Sequence, residues 1–291
     1  FSFLVEMAIP ASEFVTMAIV APLAEELAKA SVFILVATGA RKLELTSLTD
    51  HIFYAGICAL GFAFVENLGY FALSSSAGEF VVMALVRTGF GVFGHPLYTT
   101  ATAVGIWAWR TKGGLWKAAV GYIAACLLHG LWNGGPTLLA GSLGLDDTGQ
   151  LAAMILVYIV LFVPVFIGTI IMTTRNRRNE YEAVRSQLPL MVEAGLVTPA
   201  EADMIADPRK RRAILADSGK YGRVAKRNQK RTITAATEAA LAQHRIAAGE
   251  GGPELVKRRD QLSEWLRSRP DKLGQLPLMP QFPPIQPPAT W

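Results

Sequence analysis

The chain has 291 residues, 52% of them apolar and only 18% charged, with a mean hydropathy of +0.33. This composition excludes an ordinary soluble globular domain. The net charge of +5 is uneven, because residues 1–174 contain seven Lys/Arg and ten Asp/Glu, whereas residues 175–291 contain twenty-one and thirteen. We therefore expect an apolar membrane region followed by a basic tail.

Five apolar segments are long enough to cross a bilayer, which takes about 20 residues. Backbone amides in hydrocarbon must be hydrogen-bonded within the segment, so each segment is predicted to be a helix. The fold class is therefore all-α, a polytopic transmembrane helix bundle with a small helical tail. The predicted spans are Phe14–Thr38, Ile52–Leu73, Val81–Trp109, Leu115–Leu139 and Leu151–Thr173.

The chain is predicted to have three regions: a transmembrane bundle over 1–174, a basic cytoplasmic helical region over 175–276, and a proline-rich tail over 277–291. The first residue is Phe1 rather than Met, and we expect further sequence and further spans ahead of it. Cys58 and Cys126 lie inside apolar segments and are interpreted as small packing residues.

The tail shows a helix start at Thr198-Pro199, with Glu201 in the first turn. Its basic blocks, Arg209–Arg212 and Arg223–Arg231, are expected to form a solvated positive surface beside an anionic leaflet. Anionic lipid or a protein partner could bind there, and no specific nucleic acid is expected.

The first predicted span contains charges that apolar helices rarely carry. Glu25 and Glu26 lie near its middle, and Lys29 follows at the i+4 and i+3 spacings that allow pairing on one helix face. An ionisable group at the bilayer centre costs on the order of 2.5–3.5 kcal/mol, which makes such a group a candidate for function.

Three further spans carry polar groups. Counting about 1.5 Å per residue along each helix places Glu25, Glu66, His95 and His129 at similar depth, between the midplane and the outer half. We therefore expect these four side chains to converge on one polar cavity. The polar residues of these spans are Glu66 and Asn67 in the second, Arg87 and His95 in the third, and His129 and Asn133 in the fourth.

Each of these groups also has a purely structural interpretation. Glu26 and Lys29 could form only a buried ion pair, Arg87 could neutralise Glu66, and Asn133 could join helices. Two histidines, three carboxylates and an asparagine at one depth are costly to retain for adhesion alone, so the functional interpretation is favoured.

The ordered motifs resemble the PrsW family of intramembrane proteases, within the superfamily that includes the CAAX-processing enzymes. The resemblance covers roughly Pro22 to Asn133. It is carried by Glu25-Glu26-x-x-Lys29, Gly61-Phe62-Ala63-Phe64-Val65-Glu66-Asn67 with Tyr70, His95 preceded by Arg87, and His129-x-x-x-Asn133.

This resemblance implies a peptidase that cleaves membrane-anchored proteins in the cell membrane. It implies that Glu25 or Glu26 is the general base, that His95 and His129 polarise the substrate or bind a metal, and that Asn133 stabilises the oxyanion. Lys29, Asn67 and Arg87 are the supporting residues.

The sequence leaves the metal question open. If a metal such as zinc takes part, His95, His129 and Glu66 would give three protein ligands and an open position for water. Without one, a buried glutamate must act as the base. The one-helix zinc motif His-Glu-x-x-His is absent from the sequence, so a metal site would have to be assembled across helices.

Two other functions remain open from the sequence. A proton- or ion-coupled transporter or membrane chaperone could use the same groups as a proton relay, although we find no internal repeat typical of transporters. A non-catalytic membrane interaction protein is the third possibility.

The alternation of charge between loops predicts the topology. Basic residues flank one set of loops and acidic residues the other, so we expect Arg41, Arg110 and Arg175 to be cytoplasmic and Glu79 and Asp146 external. Single cysteines at these positions, in a background lacking the native cysteines, should label accordingly with a membrane-impermeant thiol reagent. Labelling at position 110 from outside intact cells would contradict the assignment.

Overall fold

A computed structural model describes residues 12–39, 45, 47–89, 91, 93–249 and 252–269, without the side chains of residues 147 and 148. The described secondary structure is helical throughout, which confirms the all-α fold class. The chain divides into two compact units, Phe1–Arg177 and Arg178–Trp291. The proline-rich segment, Arg41 and Lys42 lie outside the described residues.

The helices of the first unit follow the predicted spans in order. Helix α1 is Glu13–Val15, a π-helical turn covers Thr16–Val20, and α2 is Ala21–Thr38. The next helices are α3 Leu48–Ala72, α4 Ala77–Gly89, α5 Gly94–Lys112 and α6 Trp116–Leu143. Helix α7, Asp147–Val157, continues through a π-helical turn, Tyr158–Phe162, into α8, Val163–Glu193.

The predicted third span is formed by two helices rather than one. Helix α4 ends at Gly89 and α5 begins at Gly94, so the segment Val81–Trp109 is interrupted. Glycine weakens a helix, and Pro96 is tolerated in the first turn of α5 because that position needs no backbone donor. The local sequence therefore favours a break at this point.

Within the residues that the structure describes, three segments are long and apolar enough to cross a membrane: Leu48–Ala72, Ala77–Lys112 and Gly149–Glu193. The other two predicted spans are also helical, as α1–α2 and as α6, but they carry charged, polar and glycine residues that reduce their hydropathy. The total of five spans stays a prediction.

Close backbone packing holds α5 against α6. A Cβ atom at Gly105 would lie 2.6 Å from the Lys117 carbonyl oxygen and 2.9 Å from the Gly121 Cα atom. Only glycine permits this approach, which is typical of helix interfaces in membranes. On α6, Gly130 packs in the same way against the backbone of Ala18 in the first π-helical turn.

The second unit has a hydrophobic core of its own, made by residues such as Leu188, Ile205, Ala236 and Leu266. Its helices are the end of α8, then α9 Pro199–Ala206, α10 Pro208–Ser218, α11 Arg223–Ala247 and α12 Pro253–Ser268. The helix start predicted at Thr198 is confirmed, because its side chain and that of Glu201 form a capping box. The basic blocks lie on α10 and α11, and their binding of lipid or protein stays a prediction.

Packing at Gly105 predicts a cost of substitution. Gly105→Val should destabilise the first unit by about 1–3 kcal/mol, because the added atoms overpack the contact with α6. Unfolding of the full chain in detergent micelles would measure the loss. Gly61→Ala is the matched control: a Cβ there meets no atom within 4 Å, so this change should be neutral or stabilising. Equal losses in the two variants would contradict the packing argument.

Candidate active site

Helix α2 carries two adjacent carboxylates that have different surroundings. The Glu26 side chain is 0% exposed, and its Oε1 atom accepts from Lys29 Nζ at 2.7 Å and from His129 Nδ1 at 3.0 Å. Its Oε2 atom accepts from the Thr99 hydroxyl at 3.1 Å. Both oxygens of Glu26 are therefore committed to neighbouring helices.

Glu25 instead lines a cavity of about 830 Å³. Its Oε2 atom lies 3.8 Å from Lys29 Nζ and 3.8 Å from His129 Nε2. The two carboxylates that the sequence could not tell apart therefore differ in position, since Glu26 packs inside the bundle and Glu25 faces the cavity.

Lys29 joins α2 to α5. Its Nζ atom lies 2.7 Å from His95 Nδ1 as well as 2.7 Å from Glu26 Oε1, and 4.3 Å from the centre of the Phe62 ring. An ammonium group can only donate, so Nδ1 of His95 accepts and its Nε2 atom carries the ring proton. That Nε2 atom lies 2.8 Å from Glu66 Oε2, an ion-pair contact.

His129 is held in the opposite sense. Its Nδ1 atom faces the Glu26 carboxylate, which can only accept, so Nδ1 carries the proton. The Nε2 atom then presents its lone pair on the side of Glu25. A carboxylate that fixes the far nitrogen of a histidine in this way is typical of metal-binding histidines.

The Glu66 carboxylate on α3 is contacted by Arg87 of α4 as well as by His95 of α5. Its Oε2 atom lies 2.8 Å from a terminal nitrogen of Arg87, and the Arg87 Nε atom donates to Asn67 Oδ1 at 2.5 Å. The Arg87 guanidinium also lies 3.8 Å from the centre of the Tyr70 ring. The predicted supporting residues Asn67 and Arg87 therefore orient Glu66.

Asn133 lies one helical turn after His129 and contacts a different partner. Its Nδ2 atom donates to the Met17 carbonyl oxygen at 3.0 Å, inside the first π-helical turn. The resemblance implies that Asn133 stabilises the oxyanion. The bond to Met17 already uses one of the two N–H donors of the Asn133 amide.

The structure brings the predicted site residues to one cavity, apart from the two that pack behind it, Glu26 and Lys29. Glu25, Glu66, His95 and His129 all line it, as the common depth of these residues predicts. The other predicted residues on the wall are Asn67, Arg87 and Asn133.

Among the described residues, one group of three could hold a metal ion: Glu25, His95 and His129. Each is buried, and one possible ligand atom from each lies within 4.8 Å of the others. Glu66, which the sequence suggested as the carboxylate ligand, is outside this group. Catalytic zinc sites with three protein ligands can consist of two imidazoles and one carboxylate. Glu25, His95 and His129 therefore fit a zinc ion.

Two residues of the site were missed from the sequence. Tyr98 stacks on His129, with ring centres 4.8 Å apart and an interplanar angle of 22°, and Thr99 donates to Glu26. Both follow His95 on α5 at the i+3 and i+4 spacings, which place them on the same helix face. This spacing from His95 is the feature of the sequence that could have indicated their place in the site. Threonine and tyrosine are common in apolar helices, so neither residue alone indicates a functional site.

A family model described as "PrsW family intramembrane metalloprotease" matches residues 2–169. The chain belongs to the PrsW family. The match contains all nine predicted site residues, which confirms the resemblance seen in the motifs. Together with the apolar helices, it identifies a membrane protein of a peptidase family.

The other comparisons add no relatives: no curated protein and no solved structure matches the chain. The PrsW match ends at residue 169, before the second unit begins at Arg178. The family therefore accounts for the unit that contains the cavity.

The buried pair of Glu26 and Lys29 predicts strong coupling. Glu26→Gln or Lys29→Met alone should destabilise the protein by about 3–5 kcal/mol, because each leaves an uncompensated buried charge. The double variant should lose less than the sum of the two losses, measured by unfolding in detergent micelles. The exposed pair of Arg178 and Glu182 provides the control, and its double variant should show almost no coupling. Strictly additive losses for Glu26 and Lys29 would contradict the role of the pair.

Proposed function

We propose that the chain is an intramembrane metalloprotease that hydrolyses a peptide bond of a membrane-anchored protein at the cavity. The observation that carries the proposal is the buried group of Glu25, His95 and His129 on the cavity wall. Membership of the PrsW family supports it independently.

We assign Glu25, His95 and His129 as the residues that would hold the metal. His129 supports the assignment because Glu26 fixes its Nδ1–H and leaves Nε2 as a donor atom. Coordination through Nε2 of His95 would require this atom to release its proton and would end its contact with Glu66. A zinc ion bound to this set would lower the pKa of a bound water and polarise the scissile carbonyl.

Glu66 is then the candidate general base. It lines the cavity beside His95, and Arg87 fixes the position of its carboxylate. In this role Glu66 accepts a proton from the attacking water while the water oxygen bonds to the carbonyl carbon. The same proton passes to the leaving amine as the C–N bond breaks.

These roles differ from two of the sequence-based expectations, in which Glu25 or Glu26 was the general base and Glu66 a metal ligand. The difference follows from distances, because Glu25 belongs to the group within 4.8 Å and Glu66 does not. Glu26, the other candidate base in the sequence-based expectation, is assigned a supporting role instead, since three side chains already bond to its oxygens.

Metal content and turnover together test these assignments. Purified Glu25→Gln should lose bound zinc, with at least about tenfold weaker affinity, and should not cleave a single-span reporter substrate. Glu66→Gln should keep its zinc but show kcat lower by about 10²–10⁴-fold. Zinc would be measured by mass spectrometry of the full chain in detergent, and chelation followed by zinc addition should remove and restore cleavage of the parent.

Glu79→Gln is the matched control, because Glu79 is an exposed carboxylate that contacts Ser75 and does not line the cavity. It should keep both zinc and activity. Loss of zinc from Glu66→Gln, with zinc retained by Glu25→Gln, would show that Glu66 and not Glu25 is the carboxylate ligand of the metal. Cleavage at the parental rate by both cavity variants would overturn the assignment of the cavity as the active site. A parent protein that does not cleave the reporter would overturn the hydrolase proposal and favour transport or interaction.

A further inference from the structure

Tyr98 is a buried tyrosine on the wall of the cavity, one turn after His95 on α5. It is only 1% exposed. Its ring stacks on His129 and meets His95 and Phe162 edge to face, with ring centres 5.8 Å away in both cases. The position of the ring is thus fixed by aromatic contacts on three sides.

The hydroxyl group of Tyr98 has no such support. Within the described part of the chain, its oxygen is buried and has no hydrogen-bond partner. A buried hydroxyl without a partner is destabilising by about 1–3 kcal/mol, a cost that phenylalanine at this position would avoid. The ring contacts alone therefore do not explain a tyrosine here.

Gly94 makes room for this hydroxyl at the start of α5. A Cβ atom at Gly94 would lie 2.6 Å from the Tyr98 oxygen and 3.1 Å from the ring carbon that bears it. Any other residue at position 94 would have to displace the hydroxyl. The glycine and the tyrosine together keep a hydrogen-bond donor beside the two histidines.

Several other donors near the site already have partners. Lys29 donates to Glu26 and His95, and Arg87 pairs with Glu66 and Asn67. Asn133 donates to the Met17 carbonyl oxygen. Peptide hydrolysis needs a donor for the oxygen on which negative charge develops, and the Tyr98 hydroxyl can supply one.

We propose that Tyr98 is a catalytic residue whose hydroxyl donates a hydrogen bond to the carbonyl oxygen of the scissile peptide. This rests on the proposed protease function. As the water oxygen bonds to the carbonyl carbon, the π electrons of the C=O bond move onto the carbonyl oxygen. Tyr98 keeps its proton and stabilises the resulting oxyanion through the hydrogen bond.

Tyr98→Phe tests the hydroxyl while preserving the ring contacts. We expect kcat on the single-span reporter to fall by about 10²–10³-fold, the usual effect of removing one oxyanion donor. The KM should change by no more than about threefold, because the bond strengthens only as charge develops. The Tm in detergent micelles should stay the same or rise, because the variant removes an unsatisfied buried group.

Tyr122→Phe is the matched control. The Tyr122 hydroxyl donates to the Leu23 carbonyl oxygen at 2.8 Å, so its loss removes a structural hydrogen bond outside the cavity. This variant should show a lower Tm and a kcat within about threefold of the parent. Tyr98→Phe is thus expected to lower kcat without lowering the Tm, whereas Tyr122→Phe is expected to lower the Tm with little change in kcat.

Gly94→Ala provides a second test through displacement of the hydroxyl. It should lower kcat, and adding it to Tyr98→Phe should cause little further loss, because both changes remove the same interaction. Parental kcat in Tyr98→Phe, or a parallel fall of kcat and Tm, would overturn the role of Tyr98. If the parent itself does not cleave the reporter, the protease proposal fails and the role of Tyr98 fails with it.

Discussion

The Lys29 ammonium is the contact on which the arrangement of the site depends. It is buried between Glu26 on its own helix and His95 on α5, so it needs both partners to offset the loss of hydration. From these partners a hydrogen bond continues to His129 on one side and an ion-pair contact to Glu66 on the other. The result is one connected row, Glu66–His95–Lys29–Glu26–His129, which crosses four helices. Removing an interior member would alter the orientation of groups that it does not touch.

The same polar groups explain why the membrane region is hard to delimit by hydropathy. The three segments that are apolar enough to span a bilayer do not include α2, which carries Glu25, Glu26 and Lys29, or α6, which carries His129 and Asn133. These helices can lie in an apolar environment because their charges are buried against one another rather than exposed on the outer surface. The aliphatic side chains around the site remain exposed on the described bundle, as lipid-facing positions would be.

Much of this architecture could be predicted from the sequence, because helix length, residue spacing and depth depend on local geometry. The convergence of Glu25, Glu66, His95 and His129 followed from their common depth. Partner choice could not be predicted in the same way, since it depends on how each helix is rotated and how closely its neighbours approach. The contact of Asn133 with Met17 and the position of Tyr98 beside His129 both depend on such packing.

Helical geometry also separates the two neighbouring glutamates. Consecutive residues of an α-helix point about 100° apart, so Glu25 and Glu26 cannot face the same surroundings. In this fold one direction leads to the cavity and the other to a packed interface with His129 and Thr99. A glutamate pair on one helix can therefore supply both a side chain that faces the cavity and one that orients a neighbouring histidine. A shift of the helix register by a single residue would move one glutamate into the surroundings of the other, and close packing of Gly130 against Ala18 in the preceding π-helical turn opposes such a shift.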